Sequence, residues 1–273
     1  MFVLALFFAT NVLAQRIAVI VPDRDDDTKF AERLAEQIGQ VATFLDGSMS
    51  NVAFNASKHI DPFNMTADEA KNAGAAIGCD FFILVRTGIE RRASIKPPDY
   101  FEAYAAMYLV SSRSGRLVHW SIPSFKEETE IEAWKKLTDA ATQIAKDLIA
   151  AAKFEQKRER TDPKKTVVEE LPVENSPEAK GFRSPIPYRR IKPEYTPTAF
   201  LYGVTATVEM EVDLDAAGNI LRTDVVRWAG YGLDDAVEKA VRAMSWRPAE
   251  RNGKQLPIRV LLRYNFKKIE PKL

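Results

Sequence analysis

The chain has 273 residues, 46% of them hydrophobic and 28% charged, a net charge of +1 and a single cysteine. So small a net charge gives no long-range pull toward nucleic acid or anionic lipid, and neither is expected as a partner. Cys79, being alone, excludes an intrachain disulfide and any multi-thiolate metal site, while the length allows one large or two modest cores.

Residues 1–14 are almost wholly apolar and end Val12-Leu13-Ala14 before Gln15. A bilayer span needs roughly 20 such residues, so the run is too short to cross. The small residue at Ala14 fits a cleavage site, and the segment is expected to be a secretory signal peptide. No Lys or Arg precedes the run, which departs from the usual charged start. The expectation is a periplasmic protein with no integral span once the signal is removed, or one held at the inner membrane if it is not.

Residues 15–153 alternate strand and helix signals. A β-branched run at 16–21 is stopped by Pro22 and an acidic stretch at 23–27, then Phe30, Leu34 and Ile38 form one helical stripe. Residues 41–64 are mixed and read as loop with a short strand. Thr66 and Glu69 have the spacing of a capping box, opening a helix that runs to Ile77 and ends at Gly78. A buried strand at 80–85, an apolar strand at 100–111, a turn at 112–115 and a partner at 117–122 follow. Thr129 and Glu132 suggest a second capping box before a helix whose apolar residues Trp134, Leu137, Ala141, Ile144, Ala145, Leu148 and Ala152 recur at three and four. The order predicts a mixed α/β sandwich. The helix ending at Gly78, the strand from Asp80 and the hairpin around Gly115 and Trp120 resemble the N-terminal domains of TolB, CsgG and LpoB-like envelope proteins. That resemblance implies a binding or assembly domain.

Catalytic signals are weak. There is no Gly-rich phosphate loop and no Gly-x-Ser-x-Gly elbow. His59 and Asp61 lack a second nearby His, and metal sites need three or four convergent ligands. The acidic stretch at 23–27 lacks the Gly and closing Glu of a calcium loop. Cys79 beside a buried strand reads as a core thiol. A hydrolase centre would have to be assembled from His59, Asp61 and His119. No catalytic residue, metal or cofactor is expected.

Residues 154–192 carry Pro163, Pro172, Pro177, Pro185 and Pro187 among Glu and Lys. Few apolar residues interrupt them, so the segment is expected to be an extended, flexible linker.

In residues 193–273 apolar Val204, Ala206, Val208, Met210 and Val212 alternate with polar Thr205, Thr207, Glu209, Glu211 and Asp213. That is a strand with one face in a core. A turn at Gly218, a return strand at 220–228, a helix with Leu233, Val237, Ala240 and Val241, and an alternating strand at 258–266 complete a β-β-α-β order. The prediction is one helix over a three-stranded antiparallel sheet, and an α+β chain overall.

Pro193 and Tyr195, Gly203, Asp213, Gly218, Gly230 and Gly232, Leu233-Asp-Asp-Ala236, Trp246-Arg-Pro248, Gly253 and Phe266 occur in an order that resembles the C-terminal domain of TonB-family proteins. Two places depart from that pattern. Tyr195-Thr196-Pro197 replaces the usual Tyr-Pro, and Arg227-Trp228-Ala229 stands where small polar residues are usual. The resemblance implies a non-enzymatic module that binds an extended segment by β-augmentation along its last strand. Arg259, Val260, Leu261, Arg263 and Asn265 are then the candidate partner-binding residues. An outer-membrane receptor or envelope assembly factor is the implied partner, and the domain allows a homodimer. The same resemblance implies an energy transducer if residues 1–14 stay as a membrane anchor.

Overall fold

The computed structural model describes residues 15–22, 28–93, 99–161 and 168–268. The expected signal segment and the acidic stretch at 23–27 lie outside the described residues. The N-terminal half contains β1 (Arg16–Ile20), α1 (Thr28–Gly39), β2 (Thr43–Phe44), α2 (Gly47–Ala56), α3 (Ala67–Ile77), β3 (Phe81–Arg92), β4 (Tyr100–Ser111), β5 (Leu117–Ser121), β6 (Ser124–Glu127), α4 (Glu130–Asp139) and α5 (Ala141–Thr161). Its sheet runs in the order β2-β1-β3-β4-β5, with β6 also on β4. β1 is parallel to β2 and β3, whereas β3 and β4 are antiparallel from Phe81↔Ser111 to Arg92↔Tyr100.

Local signals explain most of these elements. The α1 stripe buries Phe30, Leu34 and Ile38 completely. Thr66 Oγ1 accepts from Glu69 N–H at 3.1 Å and Glu69 accepts from Thr66 N–H at 2.7 Å, so the capping box closes in both directions. The helix expected after Thr129 is two helices that meet at Ala140. α2 falls where a loop is expected, and β6 where no element is expected. Asp46 caps α2 by accepting from Met49 N–H at 2.8 Å. Only Ser50 and Phe54 are buried on it, so it carries no apolar stripe to betray it.

The residues after α5 hold more structure than their composition suggests. β7 (Glu169–Glu170), a 3₁₀ turn (Pro177–Ala179), β8 (Phe182–Arg183) and β9 (Ile186–Pro187) precede α6 (Pro197–Leu201), β10 (Ala206–Leu214), β11 (Ile220–Arg227), α7 (Leu233–Arg242), β12 (Trp246–Arg247), β13 (Ala249–Arg251), β14 (Lys254–Leu256) and β15 (Ile258–Phe266). β8 pairs with β13 and β9 with β12, laying the described part of 168–192 along the C-terminal half. The Arg251 guanidinium sits 5.6 Å from the Phe182 ring centroid and donates to Glu169 at 2.8 Å. The expected β-β-α-β unit is present as β10, β11, α7 and β15, in the sheet order β11-β10-β15-β7. Thr196, at the first departure from the TonB pattern, caps α6 through Ala199 N–H and donates to Tyr231 C=O at 2.6 Å.

Two cores flank the N-terminal sheet. One lies under α1, α4 and α5 and takes Ile17, Val19, Phe81, Ile83, Met107 and Leu109. The other takes Ala18, Ile20, Phe82, Leu84, Tyr108 and Val110, and continues without a break into Val208, Met210, Trp228, Leu233 and Val237. The two halves therefore share a core. Arg227-Trp228-Ala229, the second departure from the TonB pattern, forms the seam. Trp228 is 1% exposed, and its indole N–H donates to Gly115 C=O at 3.1 Å. Ala229 C=O accepts from Tyr108 O–H at 2.8 Å. Arg227 donates to Asn64 C=O at 2.9 Å. The Asn64 amide in turn donates to Thr207 C=O and Trp228 C=O, both at 2.7 Å, and accepts from Thr207 N–H at 2.9 Å. Gly230 completes the fit: its φ is +68°, and a Cβ there would stand 2.7 Å from the Tyr108 ring.

Candidate partner-binding edge

The C-terminal sheet has two outer strands. β11 faces the N-terminal half, where Thr66 bridges to Arg227. β15 forms the other side. Its outer edge is met by β7 alone among the described residues, and only at Ile258↔Glu169 and Arg259↔Glu170, in parallel. Residues 260–266 thus present one unladdered edge among the described residues.

Alternation decides which side chains are available along it. Val260 is buried in the shared core together with Ile258 and Phe266, so it can meet a partner through its backbone only. Leu261 points the other way and is 53% exposed. Arg259 is bound in a fork to Asp213 at 2.7 and 2.9 Å, and that carboxylate holds its guanidinium pKa above the usual arginine value. Arg263 donates to Glu209 at 2.6 Å, yet its side chain remains 63% exposed. Asn265 accepts from the Thr207 hydroxyl at 2.8 Å. Of the five residues expected to meet a partner, Leu261, Arg263 and Asn265 are exposed, Val260 is buried, and Arg259, Arg263 and Asn265 each bond to a residue of β10.

The polar face of β10 also differs from the alternation reading. Glu209 and Asp213 are buried on it, because the arginines of β15 and Arg227 lie over them, with Arg227 3.5 Å from Glu209. Two apolar residues escaped the sequence reading. Phe200 and Leu201 on α6 are about half exposed, and Phe200 contacts Tyr195, which stacks on Phe266 at 6.2 Å. Through Tyr195, Phe200 lies near the Phe266 end of β15. The only sequence signal of Phe200 and Leu201 was their place beside Pro197 at the entry to the domain.

Residues 191–267 match the family model of the Gram-negative bacterial TonB protein C-terminal domain. The matched stretch runs from the residues just before α6 to the end of β15, so the open edge lies inside the TonB-like domain. A solved structure to which the chain is similar is the solution structure of the Pseudomonas aeruginosa TonB C-terminal domain, at 18% identity, over 39% of this chain and 100% of that one, with a TM-score of 0.29. A second is lipoprotein GNA1162 from Neisseria meningitidis, at 16% identity, over 48% of this chain and 99% of that one, with a TM-score of 0.30. A third is the PelC dodecamer from Paraburkholderia phytofirmans, at 9% identity, over 51% of this chain and 87% of that one, with a TM-score of 0.30. No match was found among curated proteins.

Outside the TonB-like domain, the residues that a hydrolase would need are not brought together. His59 packs on Phe54, with ring centroids 4.5 Å apart, and its Nδ1 lies 3.2 Å from the Ser57 hydroxyl. Phe54 belongs to the shared core. Asp61 is used in a turn, accepting from Phe63 N–H at 2.9 Å. His119 pairs across from Leu109, whose side chain enters the opposite, helix-covered core. The two histidines therefore sit on opposite faces of one sheet. Burial lowers the His119 pKa, opposed by Asp147 on α5. Cys79 is buried in the shared core with Ser112 Oγ 3.2 Å from its sulfur, and burial pushes its thiol up to about 11. Among the described residues no group of three or more His, Cys, Asp or Glu could hold a metal, and no helix is long and apolar enough to cross a membrane.

Proposed function

We propose that the chain is a non-enzymatic, exported protein of the cell envelope whose TonB-like domain holds an extended segment of an envelope partner along β15. The observation that carries this reading is the edge at 260–266, unpaired among the described residues, beside a two-residue β7. An incoming strand would gain main-chain hydrogen bonds there, and alternate side chains would set its specificity. Leu261, Arg263 and Asn265 are the exposed side chains of β15 offered to it, and Phe200 and Leu201 are a seat for an apolar residue at the Phe266 end. Arg259 serves by holding β15 against β10, and Val260 by its backbone. The partner is an outer-membrane receptor or assembly factor with a mobile extended segment. In this reading residues 1–14 direct export, residues 15–153 are the platform, residues 154–192 the connection and residues 193–273 the binding unit.

The test uses the full mature chain, isotopically labelled and titrated with extended peptides from outer-membrane receptors. Saturable backbone shifts within 260–266, weakened by Leu261→Asp, are expected. Peptides that bind with shifts confined to the N-terminal sheet, or no binding across the set, would count against the reading.

A further inference from the structure

A strand has two edges, and β10 takes one edge of β15 along its whole length, from Ala206↔Phe266 to Leu214↔Ile258. β7 therefore lies on the other edge, the one assigned above to a partner, in parallel at Ile258↔Glu169 and Arg259↔Glu170. The backbone groups on that side can be laddered to one neighbour at a time. A partner segment confined to 260–266 can lie beside β7, whereas one that reaches Ile258 competes with it.

β7 is held weakly. If its register ran on, Leu171 would stand opposite Val260 and Pro172 opposite Leu261. Proline has no N–H to give to a ladder, so pairing ends there. Leu171 and Val173 are exposed, and the segment gains no apolar burial from either. Glu169 accepts from Arg251 at 2.8 Å, between two partly exposed side chains, and ion pairs this open contribute little. Glu170 adds its charge beside Arg259. The chain that follows is bound more firmly and away from β15. Gly181 C=O accepts from Asn252 N–H at 2.9 Å, and β8 and β9 pair with β13 and β12. β7 can therefore leave β15 while β8 and β9 stay in place, and that tether keeps it close enough to return.

We propose that β7 is an autoinhibitory strap: it occupies Ile258 and Arg259 of the partner edge in the free chain and is displaced by a segment long enough to pair there. The inference rests on the partner-binding function proposed above, and adds to it a dependence on partner length. A short segment on 260–266 is indifferent to the strap. A longer one gains ladder bonds at 258 and 259 only by ending those of β7, so its affinity is held below what the edge alone would give.

The test titrates the full labelled chain with two versions of one receptor-derived extended peptide, the first matched in length to 260–266 and the second extended past Ile258. The short peptide should shift 260–266 and leave the Glu169 and Glu170 amides unmoved. The long one should move both amides to unpaired positions. In a Glu169→Gly, Glu170→Gly double variant, which removes the Arg251 ion pair and weakens β7, the long peptide should bind about two- to fivefold tighter and the short one as before. A long peptide bound along 260–266 with Glu169 and Glu170 still paired, or bound equally by wild type and variant, overturns the inference and leaves the binding function standing. Binding of neither peptide overturns both.

Discussion

The two edges of the C-terminal sheet are built in opposite ways. At β11 the Arg227 end is fastened to the N-terminal half by Trp228, Ala229, Arg227 and the Asn64 amide, with hydrogen bonds of 2.7–2.9 Å between Asn64 and the backbone of Thr207 and Trp228, and Arg116 donates to Asp224 at 2.6 Å, while residues 220–226 pair with no strand but β10 among the described residues. At β15 the edge beyond Arg259 meets no strand among the described residues. The fastened end includes Arg227-Trp228-Ala229, which departs from the TonB pattern, whereas β15 ends at Phe266, which belongs to it. The difference teaches that a TonB-like domain can be joined to its neighbour on one side and keep a largely unpaired strand edge on the other. A fixed sheet also presents its free edge in one orientation to whatever the N-terminal half faces.

The strongest way to break this comparison is to remove the seam's anchor. Trp228→Ala leaves a large cavity in the shared core and deletes the bond to Gly115, and should cost about 3–5 kcal/mol in urea denaturation. A single transition is expected, because both halves share one core. Two separated transitions, with only one moved, would show the seam to be passive. Cys79 gives a second reading of the same variant. With its thiol pushed up to about 11 it meets alkylating reagents at pH 8 almost wholly protonated, and labelling should be slow in the wild type and faster in Trp228→Ala.

Asn64→Ala comes next. It strands the Thr207 N–H and two carbonyls, and about 2–3 kcal/mol of destabilisation is expected. Tyr108→Phe removes a single hydroxyl donor from Ala229 C=O and should cost about 1–2 kcal/mol, read in the same melts. Either variant should leave peptide affinity at β15 within a few-fold of wild type; a large loss would mean that the two edges are coupled. The smallest effect belongs to the open edge. Arg263→Ala removes an ion pair whose arginine side chain is 63% exposed, so at most about 1 kcal/mol of stability is expected. Its effect should appear in partner binding instead.

Much of this architecture was legible from spacing alone. Phe30, Leu34 and Ile38 announced α1, Thr66 and Glu69 announced the start of α3, and the alternation from Val204 to Asp213 announced β10. These signals are local, and local periodicity survives in a one-dimensional reading. α2 was missed because Phe54 is its only large buried side chain. The strands at 182–183 and 186–187 were missed because two-residue pairings leave no period. The seam was invisible for a different reason: Asn64 and Thr207 are 143 positions apart, and no sequence pattern links them. The unusual Arg227-Trp228-Ala229 was the available clue, since a large aromatic in place of small polar residues needs somewhere to be buried. At the candidate edge, alternation put Arg259, Leu261, Arg263 and Asn265 on one face of the strand, on which Arg259 is half-buried and the other three are exposed. It could not show that Asp213 would take the Arg259 guanidinium, which depends on strand register.

Hydrogen exchange on the full mature chain, alone and with a saturating receptor-derived peptide, tests the central claim most directly. The account predicts that β10 and β11 amides are protected in both states, while about half of the amides in 260–266, those facing away from β10, exchange quickly alone and slowly with peptide. Equal exchange of 260–266 in the two states, with a peptide shown to be bound, would contradict it.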